Sequence, residues 1–216
     1  MYSLLVLLLA GAGLVVAVWA FLQWQLTRSA MILFVLLPLA ALSIELLITG
    51  LGHWLGTGRS FRGLLAIPLL VTQITVPLSL FSLATLCRRA GFAWAKIDWG
   101  HGAVCILAVL LLIWQLPGAL KTTGAQPAAI SFVDWLVFVM YLACGLGLWR
   151  VQRWPWLLAG MVTGLVLLPL SVANPLPVWL GRLLILSAMA VTMVHFTRLF
   201  MVVQTDGPVV PDDRSE

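Results

Sequence analysis

Runs of about 18 or more apolar residues recur along this chain, and each is long enough to cross roughly 30 Å of hydrocarbon as a helix. Nothing else in the sequence limits the fold so strongly. A backbone N–H or C=O left unpaired in lipid costs several kcal/mol, so only helices and closed barrels cross a bilayer. The runs here are continuous rather than alternating, which selects helices. Seven can be marked: Ser3 to Leu22, Ala30 to Gly50, Gly63 to Cys87, His101 to Pro117, Ser131 to Trp149, Trp154 to Ala173 and Val178 to Val203. The fourth is short and is expected to end at the Pro117-Gly118 break. The expected fold class is all-α, a polytopic membrane bundle of seven transmembrane helices. Residues 1–203 form this single domain, and Gln204 to Glu216 form a short, solvated cytoplasmic tail without apolar periodicity.

Composition narrows the function. Of the 216 residues, 62% are apolar and only 9% charged, against about 25% charged in a soluble domain. The net charge of +5 would suggest a polyanion partner in a soluble protein. Here the basic residues are scattered singly or in pairs between apolar runs, so they report topology and no nucleic-acid partner is expected. With the N-terminus outside, the inner segments carry Arg28, Arg88, Arg89, Lys96, Arg150, Arg153, Arg198 and Arg214, while the outer ones carry only Arg59, Arg62, Lys121 and Arg182. Lysine and arginine are retained on the cytoplasmic side during insertion, so the orientation expected is N-out and C-in, in the plasma (inner) membrane. Met1-Tyr2-Ser3 lacks the basic start of a cleavable signal peptide, so the first run is expected to remain as a span. The tryptophans, Trp179 among them, fall at or near the proposed helix ends, as amphipathic indoles prefer.

The stretch from Ser29 to Leu86 carries the candidate site. Glu45 is the sole acid well inside a span, about 7 Å below the expected end of its helix at Gly50. An ionised carboxylate there must be paired, hydrated or protonated. Thr49 shares its face at i+4, His53 lies in the glycine-rich connector, and Arg62 or Arg59 is placed to reach down from the next helix. Gln73 sits deep in that next helix between Pro68 and Pro77, each of which removes a backbone donor and frees a carbonyl. The expected ligand-binding set is therefore Glu45, Thr49, His53, Arg62 and Gln73, with Glu45 as the candidate catalytic acid.

Elsewhere the polar residues read as structure. Ser131 and Asp134 have capping-box spacing at the start of the fifth helix, and Asp134 is placed to pair with Arg182. Asp98 is placed to cap the fourth. Gly160-x-x-x-Gly164 has the spacing that lets another helix approach closely. Cys87, Cys105 and Cys144 lack metal or disulfide spacing and read as small packing residues. His101 and His195, expected at similar depth, have no third ligand or paired-histidine spacing; no metal and no cofactor is expected. No P-loop, dinucleotide fingerprint, HExxH or serine nucleophile elbow is present.

Three functions fit this sequence. The first is binding or transport of a small apolar or cationic ligand around Glu45 and Gln73, the lipid bilayer being the other partner. The second is an intramembrane enzyme acting on a lipid or isoprenoid with Glu45 as general acid. In general architecture, seven helices with one membrane glutamate are similar to integral-membrane terpene cyclases, where a protonated acid starts cyclisation. The third is a membrane scaffold or assembly partner without a site.

Overall fold

The computed structural model describes residues 2–55, 59–121, 131–169 and 175–205, with side chains described except at 53–55, 59–60, 62, 118–121 and 201–205. Every element among them is helical: α1 (Tyr2–Thr27), α2 (Ala30–Leu55), α3 (Arg59–Arg89), α4 (Ala93–Lys96), α5 (Asp98–Lys121), α6 (Phe132–Gln152), α7 (Trp156–Leu167) and α8 (Leu176–Thr205). Six of these, α1, α2, α3, α5, α6 and α8, are long and apolar enough to cross a membrane. The helix expected from Trp154 to Ala173 is described only as the 12-residue α7, about 18 Å long, with residues 170–174 lying outside the described part.

The long helices outrun their expected ends. α5 continues through Pro117 to Lys121 instead of stopping there, and α2 and α3 likewise contain Pro38, Pro68 and Pro77 without ending. Proline stops a helix in water because the freed carbonyl finds water. In apolar surroundings, leaving the helix would strand several more backbone groups, so the helix persists. The four-residue α4, unforeseen from the sequence, follows Gly91, whose φ of +88° is a left-handed conformation that suits glycine.

α2 and α8 form the centre, and α1 and α5 the periphery. In the most apolar window of each, 67% and 56% of residues are buried for α2 and α8, against 28% for both α1 and α5. α2 packs between α1 and α3, α8 packs on α1, α2 and α7, and α3 packs on α5 and α6. Because lipid tails are as apolar as leucine, close packing rather than burial from water drives this association. α1 shows how: Val6, Ala10, Gly13, Ala17 and Ala20 make one buried stripe of mostly small residues at i+3 and i+4 spacing. A Cβ on Gly13 would strike the Ser43 hydroxyl and lie 2.9 Å from Leu183. The Gly160 and Gly164 pair works as its spacing predicts, since a Cβ at either would collide with Ala188 or Ile185 of α8.

Polar groups inside the bundle find partners across helices. Ser82 donates to the Met31 carbonyl at 2.9 Å, and the fully buried Tyr141 hydroxyl donates to the Ser79 carbonyl at 2.7 Å. Arg198 of α8 donates to the Gln23 side chain of α1, its Nε at 3.0 Å. Ser43, Thr49, Thr72 and Thr197 each donate to the carbonyl four residues earlier, at 2.7–2.9 Å, which satisfies hydroxyls without any partner helix.

Candidate functional site: a buried acid–arginine cluster

Three helices bring charge to one place. Glu45 of α2 is fully buried. With α2 continuing to Leu55, its Cα lies ten residues, or about 15 Å, from the helix end, deeper than the sequence suggested. The Arg182 guanidinium of α8 is within electrostatic reach of its carboxylate. Arg182 also pairs with Asp134 of α6 at 3.5 Å, both side chains being about nine-tenths buried.

Local structure fixes each member. Ser131 caps α6: its hydroxyl accepts from the Asp134 N–H at 3.1 Å, and the Asp134 carboxylate accepts from the Ser131 N–H at 3.0 Å, completing the capping box read from the sequence. This locks the carboxylate that faces Arg182, so the predicted Asp134–Arg182 pair forms. Trp179 stands one turn before Arg182 on α8. It is 2% exposed. Although it stands in the first turn of α8, as the sequence placed it, it faces the bundle: its ring packs 6.5 Å from Tyr2, and its N–H lies beside the Glu45 carboxylate without reaching hydrogen-bond geometry.

Neither Glu45 oxygen has a hydrogen-bond partner among the described residues. Thr49 does not supply one, because its hydroxyl donates to the Glu45 main-chain carbonyl at 2.8 Å. The side chains of His53, Arg59 and Arg62 lie outside the described residues. The register of α2 against α3 is set by Ser82 on Met31 and by Phe34 and Phe81, whose ring centres are 6.0 Å apart. It puts Gln73 about four residues, or roughly 6 Å, deeper than Glu45. The Gln73 carbonyl oxygen is also buried without a partner among the described residues. Of the five expected ligand-binding residues, then, Glu45 and Thr49 share a helix face and Gln73 lies a turn deeper on the neighbouring helix.

Room at the cluster is small. A void of about 10 Å³, lined by Leu42, Thr72, Val76, Asp134, Phe138, Arg182 and Leu186, is about the least that holds one water. Among the described residues, two carboxylates face one guanidinium, an excess of one negative charge when all three are ionised. Such an excess in hydrocarbon is costly and calls for a proton or another small cation.

The remaining candidates are dispersed. His101 lies 3.8 Å from Cys105 on its own helix, whereas His195 stacks on Trp154 with ring centres 3.7 Å apart and planes 8° from parallel. Among the described residues no group of three His, Cys, Asp or Glu side chains is placed to hold a metal ion. Asp98 opens α5 and pairs with Arg88 at 3.5 Å on the surface. Cys87 and Cys144, unrelated by spacing, are buried with their sulfurs 3.1 Å apart, joining α3 to α6. Comparison with known proteins finds no match to the chain among family models, curated sequences or solved structures.

Proposed function

We propose that this multi-pass membrane protein binds a small cation at Glu45, a proton first of all, and moves it through the bundle core from one face of the bilayer to the other. One observation supports this reading above others: both Glu45 oxygens are buried without a hydrogen-bond donor among the described residues, while the nearest described cation is shared with Asp134. The narrow void beside the cluster favours a proton or one hydrated ion over an apolar organic ligand. In this reading Glu45 is the site residue, Gln73 marks the path one turn deeper and Thr49 is a helix hydroxyl. In the same reading the bundle stands N-out and C-in in the plasma membrane, with α7 counted as a seventh span beside the six long helices.

A scaffold role is the second reading, favoured by the closeness of packing at Gly13, Gly160 and Gly164. Enzymatic use of Glu45 on a lipid has less support, because the void described beside the cluster, about 10 Å³, is far below the size of a lipid. Purified protein reconstituted into liposomes with an internal pH dye separates the readings. A proton leak under an imposed gradient that is lost in Glu45→Gln and kept in Asp98→Asn supports cation binding. Equal behaviour of both variants and empty liposomes overturns it.

A further inference from the structure

At the opposite end of the bundle from Glu45, the turn between α1 and α2 opens on a cavity of about 690 Å³, bordered also by the last turns of α3 and by Thr197 and Phe200 of α8. Two arginines border it: Arg28 from the turn and Arg89 from the last turn of α3. Each is steadied by an aromatic ring, Arg28 over Trp24 and Arg89 over Phe200, both at 5.7 Å. Neither pairs with a carboxylate among the described residues, where the ion pairs are Arg88 with Asp98 and Arg182 with Asp134. The cavity therefore carries two positive charges that nothing described neutralises.

Its lining is graded from polar to apolar. At the rim, Thr27 Oγ1 accepts from the Ser29 N–H at 3.5 Å, and neither the Thr27 nor the Ser29 hydroxyl donates to another group among the described residues. The first N–H groups of α2, at Ala30 and Met31, add to this donor set. Further in, Ser82, Thr85 and Thr197 spend their protons on helix carbonyls and offer only oxygens. The paired rings of Phe34 and Phe81 form an apolar side. Arg28, which lines this rim, holds a left-handed backbone, φ +51°, which a non-glycine residue adopts at a cost.

Planar guanidiniums that are pre-positioned and unpaired recognise phosphate oxygens in two-point fashion. An apolar wall beside them suits the glycerol and acyl portion of the same molecule, and basic pockets between helix ends are where anionic headgroups bind. We infer that this cavity is a binding site for a phosphate group carried by an anionic lipid headgroup, held by Arg28 and Arg89 with help from Ser29 and the α2 N-terminus. The inference is independent of Glu45.

Full-length protein in detergent is given phosphatidic acid, phosphatidylcholine or inorganic phosphate, and bound lipid is counted by native mass spectrometry. Phosphatidic acid is expected to be retained, with at least about a tenfold loss of affinity in the double variant Arg28→Gln/Arg89→Gln. The charge-matched control Lys96→Gln/Arg150→Gln, both exposed residues, should bind as the parent does. In the parent protein, the bound anion should also shield Arg28 and Arg89 from phenylglyoxal, a readout that needs no variant. Shielding by inorganic phosphate with no lipid retention would assign the phosphate chemistry to a soluble source and overturn the lipid. Equal losses in both double variants, or unshielded arginines with either anion, would overturn the site.

Discussion

Arg182 stands between two acids, and its surroundings decide what each substitution costs. Removing one partner of a buried ion pair strands the other, so Arg182→Gln is expected to lower stability by about 3–5 kcal/mol. Glu45→Gln replaces a carboxylate that no described group hydrogen-bonds, and its cost should be within about 1 kcal/mol of zero. Denaturation by SDS in mixed micelles measures both; equal losses would make Glu45 a fastener between α2 and α8. Arg153 offers a test of backbone strain. It ends α6 with φ +53° and its N–H on the Leu148 carbonyl, so Arg153→Gly should raise stability by about 0.5 kcal/mol in the same titration. A loss there would mean that the Arg153 side chain matters more than its backbone. At this scale the sequence exposed Glu45 by its charge in an apolar run, and Asp134 by its capping spacing. It gave no sign that Arg182 and Trp179 flank Glu45, since their adjacency depends on α8 packing against α2, more than 130 residues away in the chain.

Among the elements, α7 depends most on a few small residues. Its Gly160 and Gly164 admit α8 so closely that a side chain there meets Ala188, Ile185 or the Gly181 carbonyl. Gly160→Val and Gly164→Val should each cost about 1–3 kcal/mol through overpacking. Gly11→Ala, with nothing within 4 Å of the added carbon, should be neutral or gain up to about 1 kcal/mol. Cysteines placed at exposed α7 positions would report the difference as faster maleimide labelling in the valine variants, and unchanged labelling would refute the packing role. Helix existence was legible because apolar runs of that length admit little else. Helix ends were not, because Pro117 was judged by its behaviour in water, and α4 was missed because four residues carry no periodicity. The sulfur contact between Cys87 and Cys144 was equally invisible, as it arises from α3 meeting α6 and not from spacing.

As a whole, the molecule turns apolar side chains outward as well as inward. Leu4, Leu8, Val15, Ile106 and Ile113 are each more than 60% exposed, a surface suited to lipid tails and not to water. Composition alone conveyed this, and the basic-residue asymmetry added an orientation that a reporter fused after Glu216 tests: a cytoplasmic reporter signal is expected, and a periplasmic or external one would invert the bundle. The central claim is that the Glu45, Arg182 and Asp134 cluster holds one exchangeable cation in a closed core. Infrared difference spectroscopy across a pH titration, comparing the parent with Glu45→Gln, tests it most directly. A carboxylic-acid C=O band that rises and falls with pH in the parent and is missing from Glu45→Gln is the predicted result. No titrating band while the protein stays folded, or the same band in both proteins, would contradict it.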